Sequence, residues 1–167
     1  ILGAFFNRAV SGGTKSVSFR DVTVDASGDY LIRIDASGSN FEKPAASMVG
    51  GICGYCYALR SMQKSGASGN IAVQGSFGTD SLLLGGLVGA TVTYADVEMK
   101  NAFYVGNLVS VDAAPVKTGY LFGKLDATAK VDVFYAYHYG EDAVEYPYGA
   151  FKYSGNDATA SWKVQNG

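Results

Sequence analysis

Gly85-Gly86-Leu87-Val88-Gly89 decides the reading of this chain, because the pattern comes back. A glycine, a free position, a large apolar residue, a mostly apolar residue and a small or turn-forming residue recur as Gly50-Gly51-Ile52-Cys53-Gly54 and as Gly119-Tyr120-Leu121-Phe122-Gly123. Weaker copies stand near both ends, Gly3-Ala4-Phe5-Phe6-Asn7 and Gly149-Ala150-Phe151-Lys152-Tyr153, and both lack the fifth glycine. The leading glycines lie 47, 35, 34 and 30 residues apart. Spacing of this order marks a repeat architecture, in which one unit cannot bury its apolar side alone and neighbouring units bury it together.

A second strand-like run follows each copy, at residues 17–24, 69–73, 96–105, 131–139 and 160–164, and several of these alternate with period two. No stretch carries the apolar spacing of a helix; the nearest, residues 56–64, is broken by Ser65-Gly66. The expected fold is all-β: a short parallel β-solenoid (β-helix) of about five turns, starting near residues 3, 50, 85, 119 and 149. Phe5, Ile52, Leu87, Leu121 and Phe151 would line its interior. Gly50, Gly54, Gly85, Gly89, Gly119 and Gly123 are its structural turn residues, permitting positive φ at corners and close approach of neighbouring turns. An antiparallel β-sandwich with glycine turns is the alternative. Residues 1–167 read as one repetitive β domain, and the start, with neither an initiator Met nor a charged segment, reads as part of a longer chain. The first interval exceeds the next by a dozen residues, and the excess is expected between Asp25 and Ala46.

The three strong copies resemble the GLUG motif, a repeat of bacterial surface and secreted proteins that include immunoglobulin A peptidases and adhesin-like chains. The run Asn70-Ile71-Ala72-Val73-Gln74-Gly75 matches the strand that follows the motif in that family. The resemblance implies a non-catalytic spacer or adhesive module outside the cytoplasm, at the cell surface or secreted. It supplies no catalytic residue.

Composition narrows the function classes. Thirteen basic and fifteen acidic residues give a charge of −2, and the basic ones are scattered, so neither nucleic acid nor an acidic membrane surface is an expected partner. No run approaches the roughly 20 apolar residues of a membrane-spanning helix. Expected partners are a glycan or a host surface protein, neighbouring domains, or further copies stacked end to end.

Tyrosine supplies the candidate binding surface. Tyr135, Tyr137, Tyr139, Tyr146 and Tyr148 crowd the last third of the chain. Alternation would put Val131, Val133, Tyr135, Tyr137 and Tyr139 on one face, either as a platform for sugar rings or a protein, or as core. Cys53 and Cys56 form one C-x-x-C with no second pair or histidine pair to complete a zinc site, and read as packing residues. Asp25, Asp29 and Asp35 match no calcium-loop spacing. His138 is the only histidine and no Gly-x-Ser-x-Gly elbow accompanies it. No metal and no cofactor is expected. The carboxylates Glu141, Asp142 and Glu145 keep a carbohydrate-active β-helix enzyme as the runner-up, and a self-assembling structural element is the third reading.

Overall fold

A computed structural model describes residues 1–9, 16–36, 47–75, 82–92, 97–111, 116–124, 130–139 and 161–165. The described elements are all strands, and they pair into three sheets. The first sheet runs β1 (Leu2–Gly3), β5 (Ser47–Gly50), β8 (Leu82–Gly85), β12 (Val116–Gly119). The second runs β13 (Phe122–Lys124), β9 (Val88–Val92), β6 (Cys53–Tyr57), β2 (Phe6–Ala9). In the third, β3 (Val17–Arg20) and β4 (Thr23–Ala36) lie along β7 (Leu59–Gly75). β10 (Val97–Val105) and β11 (Leu108–Val111) lie along its other side, followed by β14 (Lys130–Tyr139) and β15 (Ser161–Gln165). Every pairing among the described residues is parallel, which is not how the strands of an antiparallel sandwich are joined.

The register follows the sequence repeat. Gly50 pairs with Gly85 and Gly119 with Gly85; Cys53 pairs with Val88 and Phe122 with Val88. Equivalent residues of successive copies therefore sit side by side, and the apolar third position closes into a column. Between the first and second sheets the amides of each copy donate to the carbonyls of the next, as in Ile52 N to Leu87 O and Leu87 N to Leu121 O. Ile52 and Leu87 are 0% exposed and Leu121 is 1%, whereas Phe5 is 53% exposed. Phe5 departs from the expected interior because β1 and β2 are edge strands with a neighbour on one side only. Burying one Leu or Ile side chain stabilises by about 1.5–3 kcal/mol, so the column is a principal source of cohesion between copies. Phe151 lies outside the described residues.

The twelve extra residues of the first copy are not confined to the segment expected. Four fall between Ala9 and Ser18, measured against Cys56 to Ser61. Four more fall between Asp25 and Ile32, and four between Ala36 and Ser47. Core residues on either side keep their partners because each insertion sits where one paired segment gives way to the next.

The third sheet bends twice. Asp21, Lys64 and Asn101 all have positive φ (56°, 47° and 52°), and the register sets the three opposite one another. At this bend two consecutive residues, Lys100 and Asn101, are exposed, and the in–out alternation restarts with buried Ala102. The second bend uses Gly69 (φ 117°) and Gly106 (φ 144°), where a Cβ on Gly106 would lie 2.5 Å from the Gly69 carbonyl oxygen. Beside it the Asn107 amide donates to Asn70 Oδ1 at 2.9 Å, and the buried Tyr104 hydroxyl is shared between the carbonyls of Asn107 (3.0 Å) and Gly69 (3.2 Å). The buried polar groups Ser65 and Thr91 are also satisfied: Ser65 Oγ donates to the Gln63 carbonyl and accepts from the Val22 amide, and Thr91 Oγ1 donates to the Cys56 carbonyl.

Candidate functional site

Of the two roles expected of the motif glycines, positive φ and close approach, the structure shows the second. None of Gly50, Gly54, Gly85, Gly89 and Gly123 has a left-handed φ; positive φ among the described glycines occurs at Gly69, Gly75 and Gly106. Close approach is what they serve, and in two separate ways. A Cβ on the first-position glycine would run into the carbonyl of its own fourth position, Phe6 for Gly3, Cys53 for Gly50 and Val88 for Gly85. A Cβ on the fifth-position glycine would instead strike the preceding copy: Gly54 meets Leu2 O at 2.7 Å, Gly89 meets Gly54 O at 2.5 Å, and Gly123 meets Gly89 O. The first glycine is thus required by the bend within a copy and also by the following copy, since a Cβ on Gly3 would lie 2.7 Å from Gly54 N; the fifth is required by the copy before it.

Cys53 and Cys56 are not joined in a disulfide, and both are fully buried in the core. Cys53 Sγ donates to the Tyr55 carbonyl at 3.1 Å. A hydrogen bond with Cys53, reinforced by burial and by the proximity of the Cys53 charge, pushes the Cys56 thiol far above its ordinary range. A thiol held neutral and out of reach of solvent is neither a nucleophile nor a ready metal ligand. Asp25, Asp29 and Asp35 are exposed, and among the described residues no three acidic, cysteine or histidine groups gather as a metal site.

The side chains of the tyrosine row lie outside the described residues, and only its register is given. Val131 and Val133 pair with Val97 and Met99, which are buried. Tyr135 falls opposite Asn101 at the bend itself, between the Lys100–Phe134 and Ala102–Ala136 pairs. Tyr137 and Tyr139 pair with Phe103, which is half-buried, and Val105, which is exposed. His138 pairs with the buried Tyr104. Tyr146, Tyr148 and the carboxylates Glu141, Asp142 and Glu145 lie outside the described residues.

What remains is a surface on the side of the third sheet away from the core. The Phe103 ring lies across Gly66 of the neighbouring strand, in the space that a Cβ on Gly66 would fill. Val105, on the same stretch of β10, is exposed, and so is Val109 beyond the second bend. Nearer the first copy the surface turns polar: Arg20 donates to Gln63 Oε1 at 2.9 Å, Gln63 donates to Glu98 Oε1 at 2.6 Å, and the Arg33 guanidinium sits 5.4 Å from the centre of the exposed Tyr30 ring. Such a face can make apolar, stacking and hydrogen-bonded contacts over an area.

Sequence reasoning missed the Asn70–Asn107 bond and the Phe103–Gly66 contact. The first had a signal, since Gly69-Asn70 and Gly106-Asn107 are the same dipeptide 37 residues apart; the second had none without the register.

Comparison with known proteins finds no family model, no curated protein and no solved structure that matches this chain.

Proposed function

We propose that the chain is a short parallel β-solenoid serving as a non-catalytic spacer or adhesive module of an extracellular bacterial surface protein. One observation carries the reading: equivalent residues of successive copies pair in parallel in all three sheets. A coil with one strand of each sheet per turn produces that register, and the resemblance of the three glycine motifs to GLUG repeats supports the surface location. The adhesive form of the proposal uses the outward side of the third sheet, with Phe103 on Gly66 at its centre and Tyr137 and Tyr139 at the next register positions. An outward sheet face with an aromatic ring, and hydrogen-bonding groups on the stretches beyond its bends, suits a glycan or a protein better than a small solute.

Binding of the purified chain to a panel of polysaccharides, with each bound polymer checked for shortening, tests this. Binding without shortening, lost in Phe103→Ala, is the expected result for an adhesive module. Absence of binding leaves the spacer. Shortening of any polymer would overturn the non-catalytic reading and direct attention to Glu141, Asp142 and Glu145.

A further inference from the structure

We infer that the middle stretch of the third sheet's outward side binds a neutral pyranose ring of a glycan, seated on Phe103 and held by the carboxylate of Asp25. This rests on the adhesive form of the function proposed above and names the ligand class of that surface. The geometry begins at Gly66, where a Cβ would lie 2.4 Å from Cε1 and Cζ of Phe103 and 2.5 Å from its Cδ1. A point almost equally far from three consecutive ring atoms falls near the ring axis. The ring therefore lies face-down on the glycine and turns its other face away from the sheet. Ala67 and Tyr104 are buried in the core and Val24 packs against it, which leaves Thr23 and Asp25 on β4, Ser68 on β7 and Val105 on β10 facing outward around the ring. Register sets Thr23 opposite Gly66 and Asp25 opposite Ser68. With the ring seated over β7, the hydroxyl and carboxylate groups of β4 border it one strand spacing away, about 4.8 Å.

Size and chemistry together select the ligand. The bends at Asp21, Lys64 and Asn101 on one side, and at Gly69 and Gly106 on the other, leave two outward positions on each strand. Across the three strands that is a footprint of about 7 Å by 10 Å. A stable protein contact needs about 800 Å² from each partner, whereas one sugar ring covers a surface of this size. A pyranose joins an apolar face of C–H groups to hydroxyls at its rim, the counterpart of an aromatic face with hydrogen-bonding groups beside it. Among the described residues Asp25 is the only charged side chain facing outward from this stretch. A neutral sugar offers it hydroxyl donors in charge-assisted hydrogen bonds, and a carboxylated or sulfated one is repelled.

Isothermal titration calorimetry of the native chain, Phe103→Ala and Asp25→Asn tests this, with neutral hexasaccharides of glucose, mannose and galactose and the acidic hexamer of galacturonic acid as probes. The native chain is expected to bind at least one neutral oligomer and not the acidic one. Phe103→Ala should lose that binding, and Asp25→Asn, a substitution at an exposed position, should weaken it about tenfold. Binding of the acidic oligomer alone, or neutral binding that either substitution leaves unchanged, would overturn the inference while adhesion through another surface stands. Absence of binding to every oligomer overturns it as well, and if the polysaccharide panel is also negative the adhesive reading falls with it.

Discussion

Cys56 shares the core with Cys53, and its proton is held much more firmly in the folded chain than in the unfolded one. Below the ordinary thiol value of about 8.5 both states keep the proton and pH has no leverage through this group. Above it the unfolded chain releases the proton while the folded chain retains it, so stability falls as pH rises, by up to about 1.4 kcal/mol per pH unit. Urea unfolding of the native chain between pH 8 and 10 should show this decline, and Cys56→Ala should flatten it; equal slopes in the two chains would contradict the assignment. The same residue shows what a sequence reveals at this scale. That Cys53 and Cys56 are packing residues was legible from the missing second pair, and both are buried. Their shared interior was not, because a three-residue separation in an extended strand places side chains on opposite sides.

At the scale of elements, the strands were legible wherever alternation and the glycine motif agreed, as in residues 82–92 and 97–100. Two devices hid from that reading. Residues 56–64 read as the nearest approach to a helix and 69–73 as a separate strand, because Lys64 carries no sign of the left-handed conformation, which glycine and asparagine adopt far more readily, by which β7 bends and runs on from Leu59 to Gly75. The second bend depends on the bond from the Asn107 amide to Asn70 Oδ1. Asn70→Ala strips that amide of its acceptor and should destabilise by about 1–3 kcal/mol, while Asn70→Asp, which keeps an oxygen there, should cost less. Chemical denaturation of both variants measures the difference, and an alanine variant as stable as the native chain would show that solvent replaces the bond.

For the whole molecule, the repeat interval carried most of the information: it placed Gly50, Gly85 and Gly119 in register before any pairing was known. It did not carry the distribution of the first copy's insertions, because length differences are silent about where along a strand pair they are absorbed. If successive copies are interchangeable units of a coil, the molecule should survive losing one. Deleting residues 51–85 joins Gly50 to Gly86, which by register takes the place of Gly51, and removes 35 residues. The shortened chain should keep a β-type circular dichroism spectrum and melt cooperatively at a lower temperature, since nearest-neighbour contacts are lost without any new kind of contact being required. A disordered spectrum would count against the solenoid.

The one-way run of amide bonds between the first and second sheets has an electrical consequence. In an antiparallel ladder such groups oppose one another and their fields cancel, whereas here peptide dipoles of about 3.5 D each point the same way at every link. The described copies together acquire poles: partial negative charge on the side of the first, partial positive charge on the side of the fourth. A cationic group beside this array would be drawn towards the former side and an anionic one towards the latter.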